Sequence, residues 1–177
     1  MKLTWFAGMT FRLHIAGEIV VTDPEDAPET VDSTELKSGA DWVVHSLGSG
    51  LAGFDPEVWK PRRAGRLIDA DTSTPKLNVF RFGRGFVLDA PDEGLVVVLD
   101  SDAPADIVWG RWADNAIVVL GGGAAGAVGR AALEGARPKL IALAGAGAEA
   151  DAAFATLAPL VGSAGLTVLE PGLAVEV

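Results

Sequence analysis

The sequence predicts an α/β sandwich, in which two β-sheets face each other and helices lie outside them. Three observations lead to this fold class. The first half of the chain alternates apolar and polar residues in short runs between turn residues, which is typical of strands joined by hairpins. From residue 116 onward, the pattern changes to strand, helix, strand, helix and strand. Residues 95–99 are continuously apolar, which indicates a strand that is buried on both faces.

The first half of the chain is expected to form short strands and one helix. Gly8 and Gly17 lie between the first three strands as turn residues. An acidic stretch with prolines follows at 23–35 and leads into the helix. The expected segments are strands at 2–6, 10–15 and 18–22, a helix at 33–38, a strand that ends at His45, and strands at 66–69, 77–82, 85–89 and 95–99.

The second half is expected to form a unit in which strands alternate with helices. A hairpin-rich half joined to such a unit predicts two sheets with outer helices. At 177 residues, the chain is long enough for one domain, 1–177, with a substantial core. The expected segments are strands at 116–120 and 139–143, helices at 127–134 and 148–160, and closing strands at 166–169 and 173–176.

Composition excludes several classes of protein. A net charge of −10 would repel a phosphate backbone, so we expect no binding to nucleic acid. The chain has no cysteine, which excludes thiolate chemistry and cysteine zinc sites. The N-terminus lacks the pattern of a signal peptide, and glycines interrupt the most apolar window, 116–133. We therefore expect a cytoplasmic protein without a membrane span.

Residues 121–126 match the dinucleotide-binding pattern G-x-G-x-x-G between a strand and a helix. That fingerprint requires an acidic residue about 20 positions later to bind the ribose. Residues 141–148 contain neither Asp nor Glu. The segment is therefore interpreted as a turn that lets a helix pack close to a sheet, and no cofactor is expected.

His45 is the first candidate for chemistry, because an apolar strand leads it into a glycine-rich loop. Ser46 and Ser49 lie in that loop, but the nucleophile elbow G-x-S-x-G is not formed, since Leu47 and Leu51 flank Ser49 at the glycine positions. Adjacent His45 and Ser46 would also point to opposite faces of a continuing strand. A serine triad is therefore not expected.

Metal binding is the second chemistry considered for His45. The chain has two histidines, and His14 lies within the second strand. Asp100 and Asp102 follow the apolar run 95–99, so they are candidates for a catalytic carboxylate, and His45 with Asp102 is the candidate metal pair. One histidine and one aspartate are too few ligands for a tight zinc site. We therefore expect no bound metal.

Several segments together resemble the metallo-β-lactamase-fold hydrolases, in particular the branch similar to L-ascorbate-6-phosphate lactonases. The opening MKLTWFAG and the run VVTDP at 20–24 are similar to the first strands of that branch, which end in Asp-Pro. GADWVVH at 39–45 is similar to the strand that carries the metal motif H-x-H-x-D-H, and ARPKLIA at 136–142 and LEPG at 169–172 are similar to its later segments. The resemblance implies a compact four-layer αββα fold with two mixed sheets.

The metal motif is largely replaced in this chain. Of the residues in H-x-H-x-D-H, only His45 is present, because Leu47, Ser49 and Gly50 stand at the other ligand positions. Met9 stands where the branch often has histidine, and the late strand continues through 142–145 without one. Under the resemblance, Asp100 or Asp102 would take the place of the bridging aspartate.

These departures predict a degenerate member of the fold that is metal-free and non-catalytic and acts as a binding or scaffold protein. Without the ligand set, nothing would lower the pKa of water to make hydroxide. The sequence names no partner.

Two alternatives stay open. The first is a hydrolase with a rebuilt site for a small anionic ester, lactone or phosphoester, in which His45 works with Asp100 or Asp102 and a cluster of arginines holds the anion. The second is a subunit that uses the former active-site face to form a homo-oligomer. The arginines are Arg62, Arg63 and Arg66, and the aromatic anchors of the oligomer would be Trp59, Trp109 and Trp112.

Overall fold

The computed structural model describes residues 1–45, 50–61, 76–102 and 107–177. These residues form two mixed β-sheets, one of five strands and one of six. Apolar side chains of both sheets share one core, so the sheets lie face to face. The predicted α/β sandwich is confirmed.

The five-stranded sheet contains the N-terminal strands and the last strand of the chain. In pairing order, its strands are β11 (Ala174–Glu176), β1 (Lys2–Ala7), β2 (Thr10–Ile15), β3 (Glu18–Thr22) and β4 (Trp42–Val44). β3 and β4 pair in parallel, and the other neighbours are antiparallel. In β2, Phe11, Leu13 and Ile15 are buried, whereas Arg12 and His14 between them are not. This alternation places one face of the sheet on the core.

The six-stranded sheet is the larger half of the sandwich. In pairing order, its strands are β10 (Gly165–Val168), β9 (Leu140–Ala144), β8 (Ile117–Gly121), β7 (Gly94–Asp100), β6 (Gly85–Ala90) and β5 (Asn78–Arg81). β7 to β10 are parallel, and β5, β6 and β7 are antiparallel. Residues 95–99 of β7 are all buried, as their continuous apolar run predicts.

Apolar side chains fill two layers, one on each face of the six-stranded sheet. The inter-sheet core includes Leu13 and Phe11 of β2 and Phe86 of β6. The outer core lies on the opposite face and includes Leu143 of β9 and Leu157. The six-stranded sheet is therefore covered on both sides.

Two helices, α2 (Ala125–Gly135) and α3 (Gly147–Leu157), cover the outer face of the six-stranded sheet. Glycines bring α2 close to its neighbours. A Cβ added at Gly126 would lie 3.4 Å from Ala153 Cα, and one at Gly129 would lie 2.7 Å from Leu157 Cδ1 and 3.2 Å from Leu120 Cδ1. Among the described residues, no helix has both the length and the apolar character needed to cross a bilayer.

A third helix, α1 (Ser33–Lys37), lies on the other side of the molecule. The Asp32 carboxylate caps it by accepting from the Thr34 N–H at 2.7 Å. Arg12 lies on the outer face of the five-stranded sheet, and its guanidinium donates to the carbonyls of Leu36 and Ser38. Helices thus lie on both sides of the two sheets, and α1, beside the five-stranded sheet, has five residues.

The expected segments match the observed elements with small differences at their ends. The helix expected at 148–160 ends at Leu157, because Pro159 has no N–H with which to continue the helical hydrogen bonds. The helix expected at 127–134 begins earlier, at Ala125, immediately after the glycine-rich turn. The strand expected at 66–69 lies outside the described residues.

Residues 52–54 give the terminal strand β5 a backbone partner. They follow β4 of the five-stranded sheet in the chain and pair with β5 of the six-stranded sheet. The Arg81 N–H donates to the Ala52 carbonyl at 2.9 Å, and the Phe54 N–H donates to the Arg81 carbonyl at 2.8 Å. This short parallel contact covers the end of β5.

Gly85 at the start of β6 is required by close approach to β7. An added Cβ would lie 3.0 Å from Leu99 Cα and closer still to the Val98 carbonyl oxygen, and backbone cannot move aside cheaply. We expect Gly85→Ala to lower the free energy of unfolding in urea by about 1–3 kcal/mol. Gly53→Ala is the matched control, since an added Cβ there meets nothing within 4 Å. Equal losses in both variants would contradict this account of β6–β7 packing.

Candidate functional site

Strands of both sheets end at one edge of the sandwich, here named the strand-end edge. The turn between β1 and β2 joins the two sheets there. The Met9 carbonyl accepts from the Thr22 hydroxyl at 2.5 Å at the end of β3, and Met9 Sδ and the Gly8 carbonyl border Gly121 at the end of β8. The carbonyl of Ala144, the last residue of β9, borders the same glycine. Since α/β proteins place sites at the carboxyl ends of parallel strands, this edge is the candidate site.

His45 follows β4 directly, and its imidazole faces two carboxylates. Nδ1 lies 3.2 Å from Glu25 Oε2 and 4.0 Å from Asp23 Oδ1. Both acids belong to the segment after β3, the parallel neighbour of β4. The side chains of His45 and Glu25 are 49% and 61% exposed, so water screens this closer pair and it adds little stability. The carboxylates beside His45 are therefore not the predicted partners, Asp100 and Asp102.

Asp23 has a left-handed backbone conformation, with φ 40° and ψ 54°, which is uncommon outside glycine. Its N–H donates to the Val44 carbonyl at 2.8 Å, and its own carbonyl accepts from the Thr10 hydroxyl at 2.8 Å. Pro24 then begins a short 3₁₀ turn that contains Glu25. Bonds from two strands hold this strained residue in place, and the turn they fix presents Glu25 to His45.

Asp100 ends β7 and forms an ion pair with Arg84. Arg84 Nη2 lies 3.1 Å from Asp100 Oδ2, and the Asp102 N–H donates to Asp100 Oδ1 at 3.0 Å. The Asp100 N–H also donates to the Arg84 carbonyl at 3.0 Å. The pair therefore joins the segment before β6 to the end of β7.

Asp102 binds the glycine-rich turn that resembles a dinucleotide fingerprint. Its Oδ1 accepts from the Gly123 N–H at 2.6 Å. Gly122 has φ +86°, and a Cβ added there would lie 2.6 Å from Asp102 Cγ, so both its conformation and its neighbour require glycine. Backbone amides before a helix are groups that bind phosphate in other proteins. Here the Gly123 amide binds a carboxylate of the same chain.

The predicted site residues are placed as follows. His45 lies at the end of β4, and Asp100 and Asp102 lie at the end of β7, each with the contacts given above. The predicted anion-binding residues, Arg62, Arg63 and Arg66, lie outside the described residues. The catalytic and binding roles of all six stay predictions.

The second histidine, His14, lies on β2 and pairs with Lys2 of β1. Its pKa is lowered from the usual value by partial burial and, to a smaller extent, by the nearby charges of Arg12 and Lys2. These causes favour the neutral imidazole, and none of these contacts belongs to the strand-end edge. His14 therefore has the structural position that its place in the strand predicts.

The donor set at the strand-end edge does not fit the zinc site that the resemblance implies. Gly50 has no side chain that could bind a metal. Positions 47 and 49, which are Leu and Ser in the sequence, lie outside the described residues. In ranges 1–45, 50–61, 76–102 and 107–177, no three His, Cys, Asp or Glu side chains are grouped as a metal centre requires. His45 Nδ1, a nitrogen that could coordinate metal, instead faces Glu25.

Glu25 and Arg84 are the site residues that the sequence patterns do not predict. The Asp-Pro pair at 23–24 indicates a turn at the end of a strand and so could have pointed to Glu25. No local pattern points to Arg84, because its ion pair depends on how β6 and β7 pair. Both residues are recognised only from contacts between distant segments.

Six aromatic side chains form a second feature, here named the aromatic cluster, on the outer face of the six-stranded sheet. Its members are Phe54, Trp59, Phe80, Phe82, Trp109 and Trp112. Phe54 is central, with four ring centroids within 6.0 Å, and Trp109 stacks on Trp112 at 5.5 Å. Val58 and Val108 beside the cluster are 72% and 82% exposed. The predicted aromatic anchors are thus gathered in one region.

We expect Asp102→Ala to lower the free energy of unfolding by about 1 kcal/mol, because the Gly123 N–H loses its charged acceptor. Urea denaturation measures the loss. Asp92→Ala is the control, since Asp92 is also an exposed aspartate, in the turn between β6 and β7. If both variants were as stable as the wild type, Asp102 would not hold the glycine-rich turn.

Comparison with known proteins gives no match: no family model, no curated protein and no solved structure is similar to this chain. The resemblance to metallo-β-lactamase-fold hydrolases therefore stays a prediction from sequence motifs. What the molecule does has to be inferred from its own geometry.

Proposed function

We propose that this chain is a metal-independent, non-catalytic binding or scaffold protein built on a metallo-β-lactamase-like sandwich. The observation that carries the proposal is the use of Asp102, whose carboxylate holds the Gly123 amide at 2.6 Å. Under the resemblance, either Asp102 or Asp100 would take the place of the bridging aspartate, which is a metal ligand. The other, Asp100, is paired with Arg84 and accepts from the Asp102 N–H. Both carboxylates thus bind groups of the fold itself.

The substitutions in the motif support the same proposal. Zinc in such hydrolases lowers the pKa of water so that hydroxide forms near neutral pH. Leu47 and Gly50 offer no ligand atom on their side chains, and Ser49 replaces the aspartate of the motif. The fold then still offers a surface for binding, but it lacks the metal that would generate hydroxide for hydrolysis.

The hydrolase alternative would need a different set of residues from the one first considered. The carboxylate closest to His45 among the described residues is Glu25, which lies at hydrogen-bond distance from Nδ1. A rebuilt site would therefore use His45 as the general acid or base with Glu25 orienting the ring, rather than with Asp100 or Asp102.

The first test is metal content. We expect purified, untagged protein to contain well under one equivalent of zinc, manganese or iron by elemental analysis. Removal of a bound metal lowers the stability of a native state that binds it. Since we expect no bound metal, chelators should leave the Tm unchanged. Stoichiometric metal with a chelator-sensitive Tm would overturn the proposal.

The second test separates a binding protein from a rebuilt hydrolase. Wild type and His45→Ala are compared on lactones, phosphodiesters and thioesters, without metal and with added zinc or manganese. We expect no turnover by either protein and a loss of about 1 kcal/mol or less in the free energy of unfolding, since His45 and its closer partner, Glu25, are both solvent-exposed. Wild-type turnover that falls by two or more orders of magnitude in His45→Ala, with equal Tm values, would establish catalysis instead.

The aromatic cluster favours a second candidate role, as a subunit of a homo-oligomer. Large exposed apolar residues beside half-buried tryptophans are typical of interface centres. Val58 and Val108 have this position next to Trp59 and Trp109. The surface offered to a second copy would then be the outer face of the six-stranded sheet, rather than the former active-site face that the sequence suggested.

For this second role, we expect size exclusion with light scattering to show a dimer or larger species that Val108→Asp converts to monomer. A charge at this position would be buried without a partner in the interface. Leu173→Asp, which changes an exposed residue before β11, is the control and should leave the mass unchanged. A monomeric wild type, or equal effects of both variants, would exclude the role.

A further inference from the structure

A cavity of about 230 Å³ opens beside the strand-end edge, on the outer face of the six-stranded sheet. Ala127 and Val128 of α2 line it, and so does Trp109. Leu99 and Asp100 at the end of β7 also line it, together with Arg84 at one end. The cavity therefore has apolar walls and charged groups on one side, as small-molecule sites do.

The Arg84 guanidinium has N–H donors to offer a ligand at this end, and the Asp100 and Ser101 oxygens keep lone pairs as well. Asp100 Oδ2 accepts from Arg84 and Oδ1 accepts from the Asp102 N–H. The Ser101 hydroxyl donates to the Gly121 carbonyl. The Arg84 guanidinium carries five N–H groups, and within the described residues its one ion pair is to Asp100. A ligand group that binds the guanidinium must supply acceptors, and a carboxylate supplies two oxygens that match its parallel N–H groups.

The volume limits the rest of the ligand. Sites for drug-sized molecules measure about 300–1,000 Å³, so a cavity of about 230 Å³ accepts only a smaller molecule. Its apolar walls favour a hydrocarbon body, and the indole of Trp109 suits a flat ring. A single aromatic ring or a short alkyl chain bearing one carboxylate satisfies both requirements.

We propose that this cavity binds a small aryl or short-chain alkyl carboxylate, with the carboxylate on Arg84 and the hydrocarbon body in contact with α2 and Trp109. In this site, Asp100 is a positioning residue, because its ion pair fixes the direction of the Arg84 guanidinium. The proposal deepens the proposed binding role by naming a ligand class. Its test is independent of metal content and turnover, so either proposal can fail without the other.

The test uses 4-fluorobenzoate as the probe and fluorine NMR of the full chain to follow its binding. 4-Fluorobenzylamine and 4-fluorobenzyl alcohol have the same ring and serve as head-group controls. Three variants accompany the wild type. Arg84→Gln removes the cation, Ala127→Leu fills the cavity from an exposed position of α2, and Ala155→Leu makes the same change on an exposed position of α3 outside the cavity.

We expect saturable binding of 4-fluorobenzoate by wild type and by Ala155→Leu. Arg84→Gln and Ala127→Leu should each weaken it at least about tenfold, since one loses the charged hydrogen bond and the other loses the space. The amine and the alcohol should bind at least about tenfold more weakly than the acid. Absence of saturable binding, equal binding of acid and amine, or binding retained in Arg84→Gln or Ala127→Leu would overturn the proposal. Matching urea denaturation curves confirm that the variants are folded.

Discussion

The six-stranded sheet must be buried on both faces, and the rest of the structure depends on this constraint. Four of its strands are parallel, so their apolar side chains point to both sides and need two covers. The five-stranded sheet supplies one cover, and α2, α3 and the aromatic cluster supply the other. Close approach is achieved with glycines where a side chain would intrude: Gly85 lies between strands, Gly126 between α2 and α3, and Gly129 between α2 and both α3 and β8. The order of the layers follows from these contacts.

The same constraint determines what the strand-end edge contains. Parallel strands deliver Asp100, Gly121 and Ala144 to one side of the molecule, and the turn at Met9 closes the other sheet against them. Polar groups gathered there have two uses, since they can bind a ligand or satisfy the backbone of the loops. Asp102 serves the backbone, because it accepts from Gly123. Arg84 retains donors beside an apolar cavity, so the strongest indication of ligand binding comes from a cation outside the motif.

Local patterns predicted the elements well and the contacts of the site poorly. Strands Thr10–Ile15 and Glu18–Thr22 were placed correctly because alternation and glycine turns are properties of neighbouring residues. The end of α3 was misplaced because apolar residues continue beyond Pro159, which cannot extend the helix. The position of His45 after a strand was predictable from the sequence. Its contact with Glu25 was not, because it depends on the parallel pairing of β3 and β4 across an acidic loop. The pairing of Arg84 with Asp100 likewise depends on the register between β6 and β7.

The contact of residues 52–54 with β5 has a consequence for solubility. A terminal strand with unpaired amides and carbonyls is a template on which another molecule can add a strand, and such addition leads to aggregation. At β5, the chain's own Ala52 and Phe54 already occupy the backbone groups of Arg81. The other terminal strands, β4, β10 and β11, have four residues or fewer, which gives an incoming strand little to pair with. Growth of the sheets from one molecule to the next is thus opposed at every terminal strand that the structure describes.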